Sequence, residues 1–223
     1  MKYWFTGLGI FTVLIFAYSI FNGTPWGKES MRKEASRYLQ DRYGDEMTIE
    51  SVEYDFDNSS YFKYRYYAVA HLKRNSQVQF QVIKYNGELA DTYYVSYWEY
   101  EVKNEIRKHF PQISNVSFQL RSNPLKDSSK ISGIYPPSYH EIKKEIKENE
   151  MPELRLWFSV DDGQQDQTMN TMFEVVSFLK GKEYRLSAIR FVLDNQMDKK
   201  SYYLNGMDLE EVTDLNSLSN RLR

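Results

Sequence analysis

The segment from Tyr3 to Phe21 places the strongest constraint on this chain, because it runs for nineteen residues without a charged side chain. At 1.5 Å per residue, a helix of that length spans roughly 28 Å, close to the hydrocarbon thickness of a bilayer. Tyrosine and tryptophan residues at its two ends suit the two membrane interfaces, and the turn residues that follow are expected to end the helix. The sequence therefore predicts a transmembrane anchor within residues 1–24.

Two properties of this segment stay open. Residues 17–19 (Ala-Tyr-Ser) have the small-x-small pattern of a cleavage site, so a cleaved signal peptide is the alternative to a permanent anchor. Lys2 precedes the segment and four basic residues follow it within residues 28–37, a charge distribution that favours a cytoplasmic C-terminal region. Large domains are nevertheless translocated largely regardless of such charges. We expect a single-pass cell-membrane protein whose soluble domains lie outside the cytoplasm.

The composition excludes several classes of protein. The net charge of −2 gives no basic field for nucleic acid, so no nucleic-acid partner is expected. Cysteine is absent, which excludes disulfides, a thiol nucleophile, thiolate metal sites and a lipid-modified cysteine. With 41% hydrophobic and 27% charged residues, the chain has the composition of a folded protein.

Residues 28–110 show the pattern of a first α+β unit with the order α-β-β-β-α. A helical stripe of apolar residues runs from Ser30 to Tyr43, and Gly44 is placed to end that helix. Alternating apolar residues then predict three strands separated by polar turns. A long helix follows and is stopped by Pro111. The three predicted strands cover residues 52–56, 62–72 and 78–82, and the second helix covers residues 94–110.

Residues 111–223 predict a second α+β unit with the order β-α-β-α-β-β-α. Ser138 and Glu141 have the spacing of a capping box at the start of its first helix. The predicted strands cover residues 116–120, 154–160, 184–193 and 201–204, and the two later helices cover residues 169–179 and the segment from Asp208 onward. The fold class expected for the whole chain is thus α+β, an N-terminal transmembrane helix followed by two small α+β domains, 28–110 and 111–223.

Three stretches in the N-terminal part carry a family resemblance. They are residues 21–28 (FNGTPWGK), 38–44 (YLQDRYG) and 51–56 (SVEYDF). Together they resemble the YfjL-like proteins of Bacillus and relatives. The resemblance implies a single-pass membrane protein with an N-terminal and a C-terminal domain. It implies no activity and no functional residues.

No catalytic or cofactor motif is found in the sequence. The three histidines, His71, His109 and His140, lack the spacing of a zinc hydrolase. The nucleophile elbow Gly-x-Ser-x-Gly and a phosphate-binding glycine loop are both missing. The sequence therefore predicts a protein that is not an enzyme and has no cofactor.

An acidic loop at Asp161 and Asp162, with Asp166 close behind, is the candidate site for chemistry. Carboxylates on one loop are ligands that calcium prefers, and a pair of them can act as acid and base. The competing interpretation is a turn whose acidic residues cap the next helix. A membrane-tethered hydrolase that uses these carboxylates is the alternative function.

Aromatic residues are concentrated between Tyr54 and Tyr100, where fourteen of them lie. Strand alternation places Tyr64 and Tyr66 on one face and Tyr67 on the other, so the three cannot share one core. Exposed tyrosines offer apolar area and a hydroxyl at low entropic cost, which suits a binding surface. The preferred function is a non-enzymatic, extracytoplasmic binding or regulatory module. Its expected partners are membrane lipid around the anchor and either another envelope protein or a cell-wall polymer.

Overall fold

The computed structural model describes residues 18–55, 66–85, 87–119, 133–148, 151–159, 165–195 and 198–223. It has an α+β fold with two sheets of four strands each. The chain divides into two compact units: Met1–Ser96 with Pro124–Pro136, and Tyr97–Asn123 with Pro137–Arg223. Residues 97–110 thus lie in the second unit, and the domain limits 28–110 and 111–223 stay a prediction.

The predicted membrane anchor falls mostly outside the described residues. Residues 3–17 are not among them, and residues 18–22 are helical. In the part of the chain that the structure describes, no helix has both the length and the apolar character needed to cross a membrane. The anchor from Tyr3 to Phe21 stays a prediction.

The first unit begins with helix α1, Pro25–Tyr43. The Thr24 hydroxyl caps the helix by accepting a hydrogen bond from Gly27 N, and Pro25 occupies the first helical position, where its missing N–H is not needed. Gly44, with φ of 62°, ends the helix as predicted. The predicted start at Ser30 was therefore late, because the residues expected only to end the anchor also start this helix.

The first sheet is a four-stranded antiparallel meander in the order β1-β2-β3-β4. A 3₁₀ turn, Gly44–Glu46, leads from α1 into it. The number of strands predicted, three, was wrong: β4 has four residues, too few for alternation to be visible. The strands are β1 Met47–Tyr54, β2 Tyr66–Leu72, β3 Asn75–Tyr85 and β4 Glu88–Asp91.

Helix α1 packs on β1 and β2 with its apolar stripe. Met31, Ala35 and Leu39 are buried there, as are the sheet residues that alternate toward the helix. Those sheet residues are Val52, Ala68, Ala70, Leu72, Phe80 and Val82. Tyr66 lies two positions before Ala68 on β2 and so shares this face of the sheet.

Helix α2, Tyr93–His109, follows the first sheet. Its residues up to Ser96 belong to the first compact unit and those from Tyr97 onward to the second. The predicted helical stripe is confirmed, since its members are all buried: Tyr94, Trp98, Val102, Ile106 and, just after the helix, Phe110.

After α2, the elements from β5 to β8 follow the predicted order β-α-β-α-β-β. The sheet of the second unit runs β5-β6-β7-β8, with β6 parallel to β7 and the other pairs antiparallel. Helix α4 connects the parallel pair, which a tight turn cannot do. The elements are β5 Ile113–Gln119, α3 Tyr139–Ile142, β6 Glu153–Ser159, α4 Gln165–Gly181, β7 Ala188–Asn195 and β8 Asp198–Asn205.

The C-terminal helix predicted from Asp208 onward is instead two elements. A 3₁₀ helix, Gly206–Glu211, comes first, and helix α5, Leu215–Arg221, follows it. Asp214 caps α5 by accepting a hydrogen bond from Ser217 N, and this local capping box restarts the helix. The capping box predicted at Ser138 and Glu141 is confirmed.

Candidate functional site

The chain between the predicted anchor and α1 is held by a tyrosine from the first sheet. The Tyr66 hydroxyl accepts a hydrogen bond from Thr24 N at 2.8 Å and lies 3.2 Å from Thr24 Oγ1. Its ring lies against two glycines: a Cβ atom on Gly27 would sit 2.5 Å from Tyr66 Cζ, and one on Gly23 would sit 2.7 Å from Tyr66 Cε1. The Tyr54 ring packs beside the Tyr66 ring, with 4.9 Å between the ring centroids, and also lies next to Gly23. We call these five residues the glycine socket.

The glycine socket gives a physical reason for the Asn-Gly-Thr-Pro-Trp-Gly run. Gly23 is needed twice, for its φ of 71° and for the close approach of the two tyrosine rings. Gly27 is needed for close approach alone. The socket fixes the residues next to the predicted anchor against β1 and β2 of the first sheet.

Large apolar side chains next to the socket are exposed. Tyr18 is 61% exposed, Phe21 57% and Trp26 72%. A large apolar side chain that stays in water is about 1.5–3 kcal/mol less stable than the same side chain fully buried. All three lie within nine residues of one another in sequence, at the N-terminal end of the first unit.

Tyr66 and Tyr67 of the predicted tyrosine surface lie on opposite faces of the sheet, as strand alternation predicted. Tyr64 lies outside the described residues. Tyr66 is engaged in the glycine socket. Tyr67 is half-buried on the opposite face, where it pairs across the sheet with Glu53. Burial, followed by the charges of Glu53 and Asp55, raises the pKa of Tyr67, so its hydroxyl is available as a neutral hydrogen-bond donor.

A buried carboxylate, Asp91 at the end of β4, organises the other end of the first unit. Tyr38 Oη donates to Asp91 Oδ2 at 2.5 Å, and Tyr43 Oη donates to both carboxylate oxygens at 3.0 and 3.1 Å. Tyr93 N donates to Oδ1 at 2.9 Å, and Arg42 Nε lies 3.6 Å from Oδ2. These five residues are the Asp91 cluster. Asp91 itself is only 1% exposed.

The donors of the Asp91 cluster keep their protons. Burial, and then the charge of Asp91, raises the pKa of Tyr38 and of Tyr43 well above the ordinary tyrosine value. For Arg42, burial alone would lower the pKa, but Tyr43, Tyr38 and Asp91 outweigh it and raise the pKa, so the guanidinium stays charged. With donors on both oxygens, the carboxylate is held as a structural centre between α1, β4 and the start of α2.

A second polar cluster lies in the second unit around Glu105 of α2. Glu105 Oε2 accepts a hydrogen bond from Tyr184 Oη at 2.6 Å and lies 2.7 Å from His140 Nε2. Lys182 Nζ lies 3.3 Å from Oε1. Tyr139, fully buried, stacks on Tyr184 at 5.5 Å between ring centroids. We call Glu105, His140, Lys182 and Tyr184 the Glu105 cluster.

The Glu105 cluster could not be predicted from the sequence, because its members come from α2, α3 and the segment before β7. The other two histidines lie elsewhere. His109 is in the last turn of α2, where Nδ1 lies 2.9 Å from the Glu105 carbonyl oxygen, a favourable place for a cation. His71 is on β2. Among the described residues, no group of three His, Cys, Asp or Glu side chains could hold a metal ion.

We expect Glu105 to make the stability of the second unit dependent on acid pH. Burial alone would raise its pKa, but hydrogen bonds from Tyr184 and His140 lower it below the ordinary value of 4.5. A lowered folded-state pKa adds stability that is fully present above pH 4.5 and is lost as pH falls through the folded-state pKa. Glu105→Gln should therefore lower the free energy of unfolding at pH 7 by about 1–2 kcal/mol, and its stability should fall less on acidification.

Urea unfolding of the full chain between pH 3 and pH 7 measures this effect. Glu145→Gln makes the same charge change at an exposed position of the second unit and should leave both the stability and its pH dependence unchanged. Equal acid sensitivity of the Glu105→Gln variant and the parent would contradict the prediction.

The acidic loop candidates can be placed only in part. Asp161 and Asp162 lie outside the described residues. Asp166 lies in the first turn of α4, and its side chain is not among those described. No described feature therefore favours the hydrolase alternative.

Comparisons with known proteins cover the two parts of the chain unequally. No curated protein matches the chain. Among solved structures, a DUF5037 family protein from Ruminococcus gnavus is similar at 15% sequence identity, covering 86% of this chain and 80% of that one, with a TM-score of 0.38. The family resemblance inferred from residues 21–28, 38–44 and 51–56 is confirmed for the N-terminal part. Residues 1–105 match the family model described as the YfjL-like N-terminal domain.

Proposed function

We propose that this protein is a single-pass membrane protein whose two α+β units form a non-enzymatic binding or regulatory module outside the cytoplasm. The observation that carries the proposal is the exposure of Tyr18, Phe21 and Trp26 directly at the end of the uncharged segment. Amphipathic aromatic rings are enriched where membrane helices leave the hydrocarbon layer.

The glycine socket supports an anchored arrangement. It joins Gly23, Thr24 and Gly27 to Tyr54 and Tyr66, so the chain that leaves the bilayer is bound at once to the first sheet. An anchor followed by a flexible linker would leave the module free to reorient. In the proposed arrangement, the glycine socket would instead hold the first unit with its N-terminal end at the membrane surface.

The family match also supports the proposal. Its model covers residues 1–105, which include both the uncharged segment and the first sheet. The single-pass architecture and the likeness to proteins of Bacillus and relatives, inferred from residues 21–28, are part of this proposal. The partner proposed is another envelope protein or a cell-wall polymer. Of the two tyrosines of the set that the structure describes, Tyr67 is the one left to contact it, since Tyr66 is used inside the fold.

Membrane attachment is tested by fractionation. The full chain should stay with membranes after an alkaline carbonate wash, whereas a variant lacking residues 3–21 should move to the soluble fraction, because it loses the whole apolar span. In intact protoplasts, added protease should degrade the soluble units. A soluble mature product beginning near residue 20 would instead support the cleaved signal peptide, and a protected C-terminal region would place the module in the cytoplasm.

Partner binding is tested separately. Crosslinking and detergent co-purification should recover a specific envelope protein or polymer with the full chain and less of it with Tyr67→Ser. Tyr100→Ser, a change at a half-buried tyrosine of the second unit, is the matched control. Equal recovery with both variants would remove Tyr67 from the proposal, and no recovery above an anchor-only protein would contradict the binding function.

A further inference from the structure

The second sheet carries a row of polar side chains on the face away from its core. Leu154, Leu156, Ile189 and Phe191 alternate toward the core and are fully buried. The residues between them face the other way. One row across that face consists of direct cross-strand neighbours, one from each strand: Ser117, Arg155, Arg190 and Tyr203. We call this the arginine row.

The two arginines are held side by side by one buried carboxylate. Glu153, 6% exposed, accepts a hydrogen bond from Arg155 Nε at 2.8 Å through Oε1. The same oxygen lies 3.4 Å from Arg190 Nε. Two guanidinium groups around one carboxylate leave a net positive charge. Because neighbouring strands lie about 4.8 Å apart, that charge is concentrated in a small area.

The outer ends of both guanidinium groups remain accessible. The Arg155 side chain is 34% exposed and that of Arg190 is 41% exposed. Their ion pairs with Glu153 run through Nε, so the terminal nitrogens are left as hydrogen-bond donors. Within the described part of the chain, Arg190 Nε is also a buried donor without a hydrogen bond.

We propose that the arginine row binds a phosphate group. Planar guanidinium groups donate paired hydrogen bonds to phosphate, and two of them can share its terminal oxygens. The Ser117 and Tyr203 hydroxyls, next in the row on each side, supply further donors. A carboxylate, with two oxygens, would use fewer of these donors. This inference concerns the second unit alone and does not depend on the anchor or on Tyr67.

The test is a titration of the full chain in phosphatidylcholine nanodiscs with inorganic phosphate, at ionic strength held constant with chloride. Binding should be saturable. Arg190→Gln and Arg155→Gln should each weaken it about tenfold or more. Arg190→Lys keeps the charge but loses the planar, fork-shaped set of guanidinium donors, so its phosphate affinity should lie between those of Arg190→Gln and the parent. Arg107→Gln, the same charge loss at an exposed position of α2, should bind phosphate as the parent does.

Several outcomes would overturn the proposal. Phosphate binding that does not saturate, or that weakens equally in Arg107→Gln and Arg190→Gln, would show only diffuse screening. If Arg190→Gln unfolds, as judged by circular dichroism, Arg190→Lys is the deciding variant. Phosphate affinity equal to that of the parent in Arg190→Lys would show that the planar guanidinium group does not bind phosphate. Nanodiscs containing phosphatidylglycerol then identify the source of the phosphate group. If the lipid competes with added inorganic phosphate, the site binds lipid headgroups. If it does not compete, the site binds a soluble phosphate ligand.

Discussion

Asp91→Ala is expected to lower the free energy of unfolding of the first unit by about 3–5 kcal/mol, because it removes the acceptor for a set of buried donors. Tyr38, Tyr43 and the Tyr93 amide all donate to this carboxylate, and Arg42 lies beside it. Each buried donor left without an acceptor costs about 1–3 kcal/mol, and Arg42 would lose the negative charge that offsets its burial.

Amide hydrogen exchange of the full chain measures the loss where it occurs, in β1 to β4. Asp91→Asn keeps the shape of the side chain and one acceptor oxygen, so its free energy of unfolding should lie between those of Asp91→Ala and the parent. The control is Asp45→Ala, which removes the ion-pair partner of Lys73. The Asp45 side chain is 87% exposed, so this change should alter the free energy of unfolding by less than about 1 kcal/mol. A loss no larger for Asp91→Ala than for Asp45→Ala would show that the cluster does not stabilise the unit.

The features predicted well from the sequence are those set by local periodicity. The helical stripes ending at Tyr43 and Phe110 and the first three strands of the first unit depend on residues close together in the chain. So does the capping box at Ser138. Where such a signal was short or interrupted, prediction failed: β4 has only four residues, and Asp214 restarts a helix after the 3₁₀ turn.

The polar clusters were missed for a different reason. Asp91 meets Tyr38 across 53 positions of sequence, and Glu105 meets Tyr184 across 79. No local pattern distinguishes such a residue from an ordinary surface carboxylate. Only the register of the sheets and the packing of the helices bring the partners together, and both are set by the whole fold.

Tyr66 illustrates how an aromatic residue can suggest binding and yet serve the fold. In the sequence it belongs to a tyrosine-rich strand, and its neighbour Tyr67 faces the other way. Its partners, Gly23 and Gly27, lie about 40 positions earlier and contribute no side chain. The missing side chains are the signal: two glycines flanking a helix start allow a large ring to approach the backbone.

Gly27→Ala is expected to destabilise the first unit by about 2–3 kcal/mol, through crowding and not through backbone strain. The new methyl group would lie 2.5 Å from Tyr66 Cζ and Oη, so the ring must move and give up its hydrogen bond from Thr24 N. At a helical glycine with no neighbour near its Cβ position, the same substitution is not expected to destabilise the protein. A methyl group added at Gly181 would meet no neighbouring atom within 4 Å, so Gly181→Ala, the matched control, should be neutral or stabilising.

A double-mutant cycle isolates the glycine socket. Tyr66→Ala removes the ring that the new methyl group would strike, so adding Gly27→Ala to it should cost less than about 0.5 kcal/mol. Urea unfolding and hydrogen exchange of α1 supply the four free energies of the cycle. If Gly27→Ala costs as much without the Tyr66 ring as with it, the glycine serves another purpose and the socket is not what fixes this turn. A large coupling would mean that the Tyr66 ring is the group for which position 27 must stay without a side chain.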